Sequence, residues 1–400
     1  CVRAKTTAGA AGNTVHPTTM TTPQPRRTVD RFGFVVGDTG GNRQASGAPS
    51  YWAVWQERKR ESKWRRMLDH WEAFRTKEPA VLKRRIRKGI PNSVRSRAWW
   101  TLSGAAEHRD QAGVTYAQLL AQVETIFDPQ TTVTAESLRR PREHAHTRAH
   151  PYHIWDSVIA VDLERTFPNH TLFRIAAESS EAEARTSART LSALQRILRA
   201  YGVHNPTVGY TQGMNFLAGM FLTYMREEQA FWILAKVMDS GDMYHLQDLY
   251  KPSTPLVPTV WFVMERLLQR CVPRVGRHFE AHGVLSSMYL TEWCVTMYTR
   301  SFPFSFVVRV WDIFLHEGWK IFYRIALALL HKHQRSLLAM DLEGIMDFFR
   351  KIPGECQGDA GNFLIAYGKE KIRITNKQIR DLLAQAGADG ENGEKARKKI

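Results

Sequence analysis

Apolar residues recur at three- and four-residue spacings along most of this chain, the signature of amphipathic helices. Trp52, Trp55, Trp64, Met67, Leu68 and Trp71 form one such stripe and predict a basic, aromatic-rich helix over 51–83. Leu191, Leu194, Ile197, Leu198 and Tyr201 form another, and Leu217, Met220, Phe221 and Tyr224 a third. Val307, Val310, Trp311, Phe314 and Leu315 follow the same template, as do Phe322, Ile325, Ala326, Leu329 and Leu330. Ile154, Val158 and Val161 predict the buried stripe of a further helix, which Pro168 should stop just short of Phe167. Strand-like alternation is scarce, and Gly and Pro punctuate the periodic segments. The predicted fold class is therefore all-α. No fixed repeat of 30–50 residues recurs, which argues against a solenoid.

The ends read differently. Residues 1–29 hold no acidic residue, eight threonines and Pro17, Pro23 and Pro25, which predicts disorder; the same composition resembles an organelle transit peptide. Asp30-Arg-Phe32-Gly-Phe34-Val-Val36 is an apolar island suited to docking, followed by Gly- and Ser-rich residues, so 1–50 reads as an extended N-terminal segment. Residues 351–385 read as a C-terminal helical extension. From about Leu383, Ala-Gly-Ala-Asp-Gly-Glu-Asn-Gly predicts a flexible exit, with 386–400 a basic tail.

Charge adds a partner class. The net charge of +17 calls for an acidic partner: nucleic acid, an anionic membrane surface or an acidic protein. Residues 56–100 alone carry fifteen Lys/Arg against five Asp/Glu, either a solvated helix surface or a docking patch. No run of about 18 apolar residues exists, so no helical span is expected. The four cysteines show no CxxC spacing, which argues against a zinc site or a disulfide scaffold and fits a reducing, cytoplasmic setting. His144, His146, His150 and His153 cluster, but beside Pro141 and Pro151 and without a helical HxxxH face, so an exposed loop is expected rather than a metal site.

Two segments 47 positions apart carry the candidate chemistry. In Ile159-Ala-Val-Asp162-Leu-Glu-Arg165, Ile159, Asp162 and Arg165 share one helix face, and Arg165 falls in the last turn, where its side chain can project past the helix end. Asp162, one turn back, can hold the guanidinium in one direction. An ordinary surface ion pair is the plain alternative. In Gly209-Tyr210-Thr211-Gln212-Gly213, two glycines let the backbone approach a partner and present Gln212; a plain helix entry capped by Thr211 is the alternative. An arginine and a glutamine delivered together are what a slow GTP hydrolysis site needs from outside, the first offsetting charge on the transferring phosphoryl group and the second orienting water.

Both segments belong to a longer ordered pattern. Lys88-Gly89-Ile90-Pro91 with Arg95 and Trp99 resembles the opening motif of the TBC domain of Rab GTPase-activating proteins, and the two segments resemble that family's arginine-finger and glutamine-finger motifs. Thr291-Glu292-Trp293, Phe302-Pro303, Arg309-Val-Trp311-Asp312-Ile-Phe314 and Glu317-Gly318 follow in order, so the resemblance covers about 84–350. Phe32-Gly33-Phe34 is similar to a segment that precedes the domain in some members. Departures are small: Thr211 stands where cysteine is frequent, and Trp319 is bulkier than usual.

The resemblance implies a two-lobed, V-shaped, all-helical domain with both fingers in its groove. It implies a GTPase activator, not a self-sufficient enzyme, that acts on a Rab-type small GTPase and so regulates membrane traffic. Arg165 and Gln212 would be catalytic, supported by Asp162, Arg95, Trp99, Ile159, Tyr210 and Gly213, with Arg95 and Trp99 either bracing the catalytic helix or simply packing. GTP and Mg²⁺ would arrive on the partner, since the chain shows no Walker-type loop. Contact with an anionic membrane is a further expectation, and nucleic acid is not expected, as no nucleic-acid-binding module is recognised. A catalytically silent TBC-like scaffold that merely holds a GTPase is the competing reading. Asp312 is expected in a structural core, capping or pairing with a buried cation.

Overall fold

The computed structural model describes residues 29–35, 51–127, 151–175, 179–241 and 243–397. The expectations for residues 1–28, for the Gly/Ser-rich stretch and for most of the histidine cluster fall outside these. Nineteen α-helices run among the described residues, from Tyr51 to Arg397, with no named strand. The all-α reading holds.

Helix contacts fall into two groups. In the first, Glu181–His204 packs against Tyr116–Ile126, Pro151–Arg165, Met214–Leu222 and Glu227–Met238. Its start is fixed by a capping box, in which the Ser180 hydroxyl accepts from Glu183 N and the Glu183 carboxylate accepts from Ser180 N. In the second, Leu256–Cys271 packs against Pro273–Ala281, Ser287–Val295, Lys320–Lys332 and Asn376–Arg397, while Gly358–Lys371 lies on Phe304–Glu317 and Lys320–Lys332. The helix Phe304–Glu317 touches Pro79–Lys88 and Asn92–Ser103, and Asn92–Ser103 in turn lies on Glu227–Met238 of the first group. Its stripe of Val307, Val310, Trp311 and Phe314 is fully buried. No helix among the described residues is long and apolar enough to cross a membrane.

Three expectations need correction. The helix predicted over 51–83 is broken: Tyr51–Asp69, Trp71–Lys77 and Pro79–Lys88 follow one another, interrupted at His70 and Glu78. Pro79 suits a new helix start, because its missing N–H falls where no intrahelical partner exists. Trp52 and Trp55 also leave the buried stripe; they stack on each other with ring centroids 4.8 Å apart and stay 60% and 40% exposed, whereas Trp64 and Met67 enter the core. Finally, the exit expected to be flexible from about Leu383 continues as helix to Arg397. Ala384, Ala386, Ala388, Glu391, Glu394, Lys395 and Ala396 are good helix formers interspersed with the three glycines of this stretch.

Candidate functional site

The helix Pro151–Arg165 ends as expected, with Arg165 its last residue. Its buried face does not. Ile154, Val158 and Val161 are 66%, 37% and 38% exposed, while Asp156, Ile159, Asp162 and Leu163 are buried. The face turned inward carries two carboxylates, and each has a partner from another element. Arg199 donates from Nε to Asp156 Oδ1 at 2.8 Å and from Nη2 to Oδ2 at 2.9 Å, a bidentate pair that fixes this helix on Glu181–His204. Tyr210 donates its hydroxyl to Asp162 Oδ2 at 2.7 Å. Burial pushes the Asp162 carboxyl above its ordinary value, with Tyr210 and Arg165 opposing.

Arg165 itself projects outward. Its side chain is 59% exposed, and its Nη1 lies 4.0 Å from Asp162 Oδ1. Just beyond it the chain reverses sharply. Phe167 adopts φ +46°, a left-handed conformation costly for a bulky side chain. Rings on every side offset that strain: Phe34, Phe173, Phe216 and Phe304 lie with centroids 6.1, 5.8, 6.1 and 5.5 Å from Phe167.

The glutamine segment is built against this helix. Gly209, at φ +63°, packs under the Trp155 indole, and a Cβ there would collide with the ring. Gly213, at φ +109°, turns the chain beside Val295 just before the helix Met214–Leu222, leaving Gln212 exposed at the bend. Thr211 donates its hydroxyl to Tyr250 O at 3.2 Å. Asn215 ties the two segments together. Fully buried, it accepts from Gly213 N at 3.1 Å through Oδ1, and through Nδ2 it donates to Thr166 Oγ1 at 2.9 Å and Asp162 O at 3.3 Å. The sequence places Asn215 in the glutamine-finger motif, directly after Gln-Gly-Met, but gives it no role.

Arg165 and Gln212 line one groove of about 1180 Å³. Its far wall comes from the second helix group, through Thr299, Arg300, Phe302 to Ser305, Gln357 to Asp359 and Asn362. The segment 29–35 closes one side. Asp30 Oδ1 accepts from Phe32 N and Phe34 N at 2.8 and 2.9 Å, forming a tight turn, and Val35 N and Thr171 N bond to Asn169 O and Gly33 O, each at 2.9 Å. His170, buried beneath, donates from Nε2 to Phe32 O at 2.8 Å and accepts from Leu172 N at Nδ1, a pattern that suits the neutral ring. Burial lowers its pKa, with the Phe32 carbonyl opposing. The apolar island docks on the turn that follows Arg165, a site that the sequence does not specify.

Arg95 and Trp99 sit elsewhere. Arg95 Nε and Trp99 Nε1 donate to Asp312 Oδ1 at 3.0 and 2.9 Å, and Ile90 N donates to Asp312 Oδ2 at 3.0 Å. Burial works against the Arg95 charge, but Asp312 and Tyr224 hold its pKa above the ordinary value. This corrects the expected bracing of the catalytic helix: the pair anchors the Gly-Ile-Pro turn to the Trp-Asp helix. It reaches the groove through Tyr224, whose ring stacks on Phe304 with centroids 6.3 Å apart, and through Asn92, which accepts from Arg95 and donates to Arg31 O at 3.3 Å. Trp319, the bulkier residue, is accommodated in the core, its Nε1 donating to Tyr244 O at 2.9 Å.

Among the described residues no group of three or more His, Cys, Asp or Glu could hold a metal ion. Residues 92–338 match the family model described as the Rab-GTPase-TBC domain. Mouse Carabin is 32% identical over 308 residues, which cover 77% of this chain and 59% of Carabin. Mouse TBC1 domain family member 10A is 32% identical over 307 residues, 77% of this chain and 52% of that protein. The chain therefore spans little more than half the length of these two relatives. The crystal structure of the Chlamydomonas flagellar RabGAP TBC domain superposes with a TM-score of 0.56 at 25% identity, covering 85% of this chain and 99% of that one.

Proposed function

The chain belongs to the Rab-GTPase-TBC domain family, and on that premise we propose that it stimulates GTP hydrolysis by a Rab-type small GTPase, with Arg165 and Gln212 supplied in trans. The observation that carries this reading is the union of the two segments: both side chains are exposed in one groove, while Asp162, Tyr210 and Asn215 hold their backbones as one unit. Backbones held in place before the partner arrives leave only the two side chains to settle against the nucleotide. The exposed Ile154, Val158 and Val161 lead along the same helix toward Arg165 and offer apolar area to a docked GTPase. GTP and Mg²⁺ would come on that partner, and the activity would serve membrane traffic at cytoplasmic membrane surfaces.

The direct test measures single-turnover GTP hydrolysis across a panel of Rab-type GTPases, with and without the protein. Acceleration of at least one is expected; no acceleration of any member would favour the silent scaffold. Within the same assay, Gln212→Ala is expected to slow the stimulated rate by about 10²-fold, comparable to removing one positioned polar group from an active site. A GTPase whose own water-orienting glutamine is replaced should still respond to the wild-type protein. Full resistance of that GTPase would assign water orientation to the partner rather than to Gln212.

A further inference from the structure

On the far wall of the finger groove the chain makes a second sharp reversal. The helix Ser287–Val295 closes with Met297 N donating to Cys294 O at 3.1 Å and Tyr298 N to Trp293 O at 2.8 Å, the paired bonds of a Schellman cap. Glycine usually takes the left-handed position of such a cap. Here Met297 takes it, at φ +44°, and Tyr298 follows at φ +65°. Two consecutive bulky residues in this conformation are costly, and backbone strain of this kind collects at sites of function. Burial holds the turn: both residues are enclosed, and the Tyr298 hydroxyl donates to Phe322 O at 2.9 Å. Phe167 is strained in the same way beside Arg165, so each strained turn adjoins an arginine of one groove.

The arginine that this second turn delivers is Arg300. Its side chain is 50% exposed and lines the groove together with Arg165 and Gln212. Arg300 donates from Nη1 to Glu292 Oε2 at 3.2 Å and from its backbone N to Thr296 Oγ1 at 3.4 Å, and the Ser301 hydroxyl donates to the same Glu292 carboxylate. Burial raises the Asp162 pKa and Arg300 is among the groups that oppose it, so its charge is felt on the finger helix. An apolar stripe leads up to this pair. Met288, Glu292 and Val295 follow at i, i+4 and i+7 on one helix face, with Met288 47% exposed and Leu285, just ahead of the helix, 54% exposed. Val295 packs against Gly213, where an added Cβ would collide with it. The stripe thus ends at the glutamine turn, as Ile154, Val158 and Val161 lead to Arg165.

We propose that Arg300, with Met288 and Leu285 beside it, is a second docking arm for the GTP-bound partner, reading a carboxylate flanked by apolar side chains on the partner's surface. The inference rests on the GTPase reading of the groove. A partner that brings its nucleotide to both Arg165 and Gln212 has to lie in that groove, with Arg300 on the wall it faces. An exposed guanidinium beside apolar area suits such a contact: its stem extends the apolar surface, and its planar fork matches a carboxylate. Glu292 and Thr296 limit the freedom of Arg300 before the partner arrives, so less side-chain entropy is lost on docking. Charge at the edge of an interface mainly decides which partner docks and how fast. This arm therefore selects among Rab-type GTPases and leaves the chemical step to the fingers.

The experiment measures, by calorimetry on the full chain, binding of a panel of Rab-type GTPases loaded with a non-hydrolysable GTP analogue, alongside single-turnover hydrolysis of GTP. For the GTPases that the wild type binds, Arg300→Ala is expected to weaken affinity about tenfold, the size of one charge-assisted contact, with a far smaller loss in the limiting rate. Met288→Asp should weaken binding as well, and both variants should melt like the wild type, because the side chains are exposed. Glu292→Arg/Arg300→Glu keeps the local ion pair but reverses it. Weakened binding by that folded variant supports the arm, whereas wild-type affinity would show that Arg300 acts only through Glu292 and would overturn it. Equal affinity of wild type, Arg300→Ala and Met288→Asp also overturns it, while stimulated hydrolysis would leave the GTPase reading standing. Binding without stimulation removes the GTPase-activating reading, and weakening by the variants then still supports the arm. No binding of any GTPase in the panel overturns both.

Discussion

Replacing Arg165 by alanine is expected to lower the stimulated rate of GTP hydrolysis by about 10³-fold or more while leaving the protein folded. The two halves of that expectation have separate causes. An arginine supplied in trans to a phosphoryl-transfer site is worth about 10³–10⁵ in rate, or roughly 4–7 kcal/mol of barrier. Stability should barely move, because the side chain is 59% exposed and its ion pair with Asp162 is 4.0 Å long; exposed pairs of this kind contribute about 0–1 kcal/mol. Arg165→Lys should not rescue the rate, since an ammonium cannot present the planar fork that spans two phosphate oxygens. Affinity for the GTP-bound partner should fall far less than the rate, because the interaction is made mainly in the transition state. Single-turnover hydrolysis and a thermal melt on the same preparation check both halves. A variant within a few fold of wild type would remove Arg165 from the mechanism.

The position of Arg165 could be read from the sequence, and the way it is held could not. Pro168 and the i, i+3 spacing were enough to put the arginine at a helix end. The stripe drawn through Ile154, Val158 and Val161 pointed the helix the wrong way round, because periodicity counts apolar residues and the inward face carries Asp156 and Asp162. Those carboxylates are buried because Arg199 and Tyr210 meet them from 43 and 48 residues away, pairings that no local window contains. Where the inward face is purely apolar, as at Val307, Val310, Trp311 and Phe314, the same reasoning was sufficient. The docking of Phe34 on Phe167 was foreseeable only as an apolar island with no address. Its address depends on a left-handed Phe167, a conformation the sequence does not signal, because the proline that follows biases Phe167 toward extended backbone.

Asp312 should show the opposite behaviour to Arg165: a large effect on stability and none directly on the chemical step. Its carboxylate is fully buried and accepts from Ile90 N, Arg95 Nε and Trp99 Nε1 within 3.0 Å, with Arg309 at 3.8 Å. Asp312→Ala would leave the buried Arg95 and the half-buried Arg309 without their carboxylate and two further donors without an acceptor. Removing one partner of a buried pair costs about 3–5 kcal/mol, a large share of the roughly 5–15 kcal/mol that holds a typical domain folded. Asp312→Asn should be nearly as damaging, because it keeps the volume but removes the charge and turns an amide donor toward groups that themselves donate. Arg95→Met in the Asp312→Ala background should recover part of the loss, since it removes the stranded cation that causes it. Urea unfolding of the three variants measures this: a midpoint for Asp312→Ala within about 1 kcal/mol of wild type would show that Arg95 and Arg309 find other partners. The Gly-Ile-Pro turn would then be held by packing of Ile90 and Trp99 alone, and the link between the Lys88–Pro91 and Arg309–Phe314 motifs would be steric rather than electrostatic.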